Sequence, residues 1–150
     1  MQRCAHGVQP TKGSSEGGPT LTAANDPRLL DGITCFNRRA FFEAHEVWEE
    51  IWQEEQGPAR RFYQGLIQLA VCLHHFGKGN TRGAKKLCLS GSEYLQPYRP
   101  TYLGIDVDGL LSGMADCCRG LLARDEAIPQ GKLDPNLIPT IVLAELGVEQ

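Results

Sequence analysis

The stretch Phe41-Phe42-Glu43-Ala44-His45-Glu46-Val47-Trp48-Glu49-Glu50-Ile51-Trp52 decides the fold class. At about 100° per residue, Phe41, His45, Trp48 and Trp52 fall within about 60° of one another, so a helix here would carry one aromatic stripe. Glu43, Glu46 and Glu50, with Glu54 and Glu55 beyond, form a solvated face. His45 sits in the middle of the stripe expected to face the core, and Glu49 borders it. A carboxylate one turn beyond a histidine, both turned inward, is costly to bury unless something pairs with it. The two residues are therefore a candidate site.

Upstream, Asp26-Pro27 is an N-cap followed by a proline suited to the first helical turn. Leu29, Leu30 and Ile33 give a short helix ending near Phe36. Asn37 is expected to cap the motif helix, with Phe36 packing on Phe41 in the manner of a hydrophobic staple. That helix runs to about Glu55, where Gly57-Pro58 stops it and starts the next. The third helix, about Ala59 to Gly77, is apolar on more than one side through Leu66, Leu69, Cys72, Leu73 and Phe76, with Ile67 and Val71 extending that character. It is expected to be the central helix of a bundle. Gln64, Gln68 and His75 share a sector of roughly 40° on it and form a polar seam, with His74 pointing away toward solvent.

Asn80 caps a fourth helix carrying Ala84, Leu87, Cys88, Gly91, Tyr94 and Leu95 at helical spacing, with Gly83 and Gly91 permitting close approach to a neighbour. Pro97 and Pro100 end it. Asp106 caps a fifth helix that presents Val107, Leu110, Leu111, Met114, Cys118, Leu121 and Leu122 on one face. The expected fold is all-α, a bundle of about five helices arranged as helical hairpins over residues 26–123. No segment reads as a strand. Residues 1–25 are expected to be a disordered leader, because they hold too few apolar anchors to offset the entropy of ordering. Residues 124–150 are expected to form a partly extended arm across the bundle, with a final helical turn.

One domain is the default for 150 residues of which 41% are hydrophobic. A net charge of -3 with scattered basic residues argues against a nucleic-acid surface. No apolar run approaches the roughly 20 residues of a membrane span, and the first residues lack the apolar core of a secretory signal. A cytoplasmic location is expected. Of the six cysteines, Cys35, Cys72, Cys88, Cys117 and Cys118 lie within helical patterns without any Cys-x-x-Cys spacing. They read as small reduced core residues, with no zinc cluster expected.

The run from His45 to Trp52 resembles the His-x-x-x-Glu-x-x-Trp signature of the prokaryotic helical proteins called domain of unknown function 309. Phe36-Asn37, Phe41 to Ala44, Gln64 to Ala70, His74-His75, Gly79-Asn80 and Gly83-Ala84 are similar to the same family, so the resemblance covers about Asp26 to Leu111. It implies an all-α bundle of hairpins and a metal-binding role for His45 and Glu49. It implies no activity. The Gly-rich leader, Cys72 and the Cys117-Cys118 pair depart from the family pattern.

Three readings of the motif compete. In the first, His45 and Glu49 ligate a divalent metal such as zinc or manganese, since i, i+4 spacing brings both to one face. His75 would be the third ligand, and Gln64 and Gln68 would hydrogen-bond the bound cofactor or its ligands. A variant compares His45-Glu46 with the zincin motif, Glu46 acting as general base of a metal-assisted hydrolase, but the second histidine is missing. In the second reading, His45 and Glu49 are a buried charge-assisted pair that joins Gln64 or Gln68 in a network fixing helix register. In the third, the chain is a scaffold for a protein partner, with Trp48 or Trp52 as anchors; their place on the buried stripe favours a core role instead. Substrate, small ligand and oligomeric state are not legible.

Overall fold

A computed structural model describes residues 26–123 and 131–143. The leader expected over 1–25, the residues 124–130 that open the arm, and the final helical turn all fall outside these residues. Helix α1 (Pro27–Asn37) begins as its sequence requires, with the Asp26 carboxylate accepting from the Arg28 backbone N–H at 2.9 Å. Leu29, Ile33 and Phe36 form its buried face.

Helix α2 (Phe41–Glu54) carries the motif, but Asn37 does not cap it. Asn37 is the last residue of α1, and the cap position of α2 is Ala40, which offers no side-chain hydrogen bond. The link turns through Arg39, whose φ of 69° takes the chain out of one helix and into the next. The expected Phe36–Phe41 contact does form, edge to face with ring centroids 5.1 Å apart, and it makes the corner of the α1–α2 hairpin. At the other end the Arg60 guanidinium donates to the carbonyls of Trp52 (2.9 Å) and Glu55 (3.2 Å) while lying 4.0 Å from the Trp52 ring centroid. Arg28 reaches from the start of α1 to Glu54 at 2.9 Å. The unfavourable acidic end of α2 is thus offset by two arginines.

Helix α3 (Arg60–Gly77) packs between α2 and α4 (Thr81–Leu95), as its apolar character predicts. The α3–α4 contact depends on two reciprocal notches. A Cβ at Gly91 would lie 2.9 Å from Leu69 Cδ2, and one at Gly65 would lie 2.7 Å from Leu95 Cδ2. Gly83 has another use: the Asn80 side chain that caps α4, accepting from Gly83 N at 3.0 Å, occupies the space a side chain there would need.

A 3-10 turn (Gln96–Tyr98) leads to a small hairpin that the sequence did not suggest, β1 (Thr101–Tyr102) paired antiparallel with β2 (Ile105–Asp106). Its two-residue loop holds Leu103 and Gly104 at φ 50° and 81°, the positive values such a loop demands. Asp106 then caps α5 (Val107–Cys117) as expected, accepting from Gly109 N at 2.9 Å. The fifth helix does not run unbroken to Leu122. It ends at Cys117 and restarts as α6 (Arg119–Leu122), with the Cys118 carbonyl accepting from Leu121 and Leu122 N–H groups.

Residues 131–143 carry one 3-10 turn (Pro135–Leu137) and reach the core through buried Ile141. The Asn37 amide clasps Ile141, donating to its carbonyl at 3.1 Å and accepting from its N–H at 2.7 Å. Among the described residues the buried set is apolar, built on Leu29, Phe36, Trp48, Phe62, Leu66 and Leu73, and contains no charged side chain. No helix among them is long and apolar enough to cross a membrane.

Candidate functional site

His45 Nδ1 lies 2.8 Å from the carbonyl oxygen of Phe42 on the preceding turn of α2. A carbonyl only accepts, so Nδ1 carries the hydrogen, and in the neutral imidazole the lone pair is left on Nε2. Nε2 faces Glu49 Oε1 at 3.8 Å. The motif pair is therefore assembled, with the imidazole oriented by the backbone.

The pair is not in the core. The His45 side chain is 17% exposed and that of Glu49 44% exposed. The buried residues of α2 are Phe41, Ala44, Val47, Trp48 and Ile51. At 100° per residue their mean direction lies about 95° from His45 and about 135° from Glu49. Counting the aromatic residues alone drew the stripe too far toward His45, because the small and aliphatic positions Ala44, Val47 and Ile51 set the true centre. The same shift leaves Trp52 only partly buried while Trp48 is fully enclosed. Trp48 donates its indole N–H to the Leu29 carbonyl at 3.3 Å.

The polar seam of α3 divides between two neighbours. The Gln68 side-chain oxygen accepts a hydrogen bond from Ser90 Oγ, which commits Gln68 to α4. Gln64 and His75 are half-buried, and among the described residues neither hydrogen-bonds His45 or Glu49. His74, expected in solvent, is half-buried on the α2 side with its ring 5.3 Å from that of Phe42. Phe42 also touches His45, at 4.8 Å, and His74 is 5.9 Å from His75. A wheel of α3 shows why: His74 precedes His75 by about 100° and so turns from the seam toward α2. Burial holds the His74 pKa below its ordinary value, with the nearby Lys78, His75 and His45 adding to the effect.

A second group of reactive side chains was not expected. Cys72 of α3, Cys88 of α4 and Cys118 between α5 and α6 are buried, and their sulfur atoms lie within 4.8 Å of one another. Cys118 is within hydrogen-bonding reach of Cys72, Cys88 and Cys117. Contacts from the Cys118 and Cys72 thiols hold Cys88 well below the usual thiol range, against the opposing effect of burial. These four are free thiols, as the reduced reading expects, whereas Cys35 is disulfide-bonded. No spacing rule could have found the cluster, because each ligand-type atom comes from a different element.

Residues 29–87 match the family model described as Domain of unknown function (DUF309). The chain is 42% identical over 79 residues to "Uncharacterized protein YpuF" of Bacillus subtilis (strain 168), a match covering 51% of this chain and 45% of that protein. It is 36% identical over 55 residues to an "Uncharacterized protein" of Aquifex aeolicus (strain VF5), covering 35% of this chain and 16% of that protein. The chain thus spans less than half the length of these curated relatives. His45, Glu49, His74 and His75 fall inside the family match, while Cys88 and Cys118 fall outside it.

Proposed function

We propose, from a chain whose residues 29–87 belong to the Domain of unknown function (DUF309) family, that the protein is a helical binding domain whose His45 and Glu49 hold a divalent cation such as zinc or manganese. The observation that carries this reading is the Nδ1 contact to the Phe42 carbonyl at 2.8 Å. Metal-binding histidines commonly donate their other N–H to a carbonyl, which fixes ring and tautomer. With that hydrogen on Nδ1, two lone-pair-bearing atoms, Nε2 and Glu49 Oε1, face each other 3.8 Å apart. A cation between them stabilises that arrangement. His75 stays a candidate third ligand, and His74, through Phe42, is the imidazole whose ring stands nearer to α2. Gln64 is a candidate hydrogen-bond partner of the bound ion's ligands, and Gln68 would first have to leave Ser90.

The partial exposure of the pair suits an open site completed by water and weakens the buried-network reading, since a helix-surface i, i+4 pair contributes only about 0.3–0.5 kcal/mol. Melting curves with chelator, with manganese and with zinc test the proposal. Manganese should raise the melting temperature of the wild type by mass action, and His45→Ala and Glu49→Gln should each remove that increment. Identical melting temperatures with chelator and with manganese would overturn it.

A further inference from the structure

The thiol cluster lies inside the bundle and shares no residue with the partly exposed His45–Glu49 pair. Among the described residues the rest of the buried set is mostly hydrocarbon and aromatic side chains, with Cys35, Met114 and Cys117 the other sulfur-bearing members. At one point three sulfur atoms from three separate elements converge to within 4.8 Å of one another, all from fully buried residues. A cysteine used merely as a small apolar filler need not meet another. Three that meet enclose a point to which every one of them can bond. A metal–thiolate bond of about 2.3 Å places sulfur atoms about 3.8–4.0 Å apart in tetrahedral or trigonal geometry. The cluster reaches that spacing with shifts below about 1 Å, within the range of side-chain rotation.

We propose that Cys72, Cys88 and Cys118 form a trithiolate site for one thiophilic d10 metal ion, zinc(II) or copper(I), and that Cys117 is its entry ligand. Loading is a ligand exchange without electron transfer: three S–H bonds lose their protons to solvent as three S–metal bonds form. Soft thiolate donors select this class of ion over manganese or magnesium. The Ser92 side chain, one turn beyond Cys88 on α4, hydrogen-bonds the Cys88 sulfur and supports its charge in the loaded state. Cys117 supplies the route. It lines a surface cavity of about 400 Å³ together with Phe76, Arg119, Lys132 and Asp134, and it is within hydrogen-bonding reach of Cys118. An ion captured at the cavity passes to Cys118 and then to the other two.

The test uses the full chain, purified under reductant, stripped with chelator and handled without oxygen. One equivalent of zinc(II), copper(I) or manganese(II) is added, followed by elemental analysis and by alkylation with mass-spectrometric mapping of each cysteine. We expect one zinc or copper ion per chain, no manganese held by thiols, and alkylation of Cys72, Cys88 and Cys118 slowed at least tenfold relative to the folded apo protein, the loss of reactivity expected of metal-held thiolates. Protection that includes Cys117 marks a four-coordinate zinc site, and protection of only three marks a three-coordinate copper site; both uphold the proposal. Cys88→Ser and Cys118→Ser should abolish this uptake, and Ser92→Ala should weaken it roughly 10–100-fold. Because a cysteine variant can fail to fold, the wild-type result stands as a test alone. Absence of stoichiometric copper(I) or zinc(II) uptake, uptake without protection of the three cysteines, or uptake that survives Cys118→Ser in a folded His45→Ala background, where the surface pair cannot hold zinc, overturns the proposal. The manganese arm and His45→Ala report separately on the surface pair.

Discussion

Trp48 shows how one residue constrains its neighbours. It is fully buried, its indole N–H is held by the Leu29 carbonyl, and a Cβ at Gly32 would overlap Nε1, Cε2 and Cδ1 of the rigid ring. Alanine normally improves a helix interior over glycine by about 1 kcal/mol. Here overpacking, typically about 1–3 kcal/mol, opposes that gain, and the displaced ring also loses its hydrogen bond. Gly32→Ala should therefore lower the urea midpoint; a rise would show that the ring shifts freely. Tyr63 carries the opposite lesson. Among the described residues its hydroxyl is buried without a hydrogen-bond partner, so Tyr63→Phe should leave stability unchanged or raise it by on the order of 1 kcal/mol. Burial, reinforced by the charges of Asp26 and Glu55, pushes the Tyr63 pKa up. An unfolded tyrosine ionises near pH 10, while the folded one keeps its proton, so above about pH 10 the folded state binds more protons and stability falls as pH rises. Urea midpoints measured from about pH 8 to about pH 11 should fall less steeply for Tyr63→Phe than for the wild type. Parallel curves would place the alkaline sensitivity elsewhere.

Among the elements, the hold of α1 on residues 131–143 runs through Asn37. Replacing it with alanine leaves the Ile141 N–H and carbonyl without their partner, at a cost of about 1–3 kcal/mol. In Asn37→Ala, amide exchange at Ile141 should accelerate while the α3 amides hold their rates, and equal acceleration of both would mean that the clasp supports the whole bundle. The same residue shows where sequence reading succeeds and where it stops. Asp26, Asn80 and Asp106 were legible as caps because each is followed at once by a periodic apolar pattern and bonds a backbone N–H two or three residues on. Asn37 has the same chemistry, but its partner lies about a hundred residues away. The position of His45 was misjudged for a related reason: aromatic side chains dominated the count while Ala44, Val47 and Ile51 set the buried direction of α2. The i, i+4 relation of His45 to Glu49 is local, and it survived. The thiol cluster is wholly non-local, and nothing in the order of the residues announces it.

For the molecule as a whole, α3 makes the most extensive packing, against α2 on one flank and α4 on the other, and its buried residues run from Phe62 to Phe76. Local opening requires shedding those contacts, so its central amides should open only with global unfolding. Native-state hydrogen exchange should rank the α3 amides slowest and those of residues 131–143 among the fastest of the described residues. A slow tail and a fast α3 would invert the hierarchy inferred from burial.

The unlike settings of the two indoles on α2 also give the chain a pair of built-in optical reporters. Trp48 emits from a hydrocarbon enclosure, while Trp52 lies at the turn beneath a guanidinium cation. Their emission should therefore differ in colour and in response to salt. With Trp52→Phe leaving Trp48 alone, events one helical turn away at His45 become visible without a label, and Trp48→Phe makes the Arg60 turn visible in the same way.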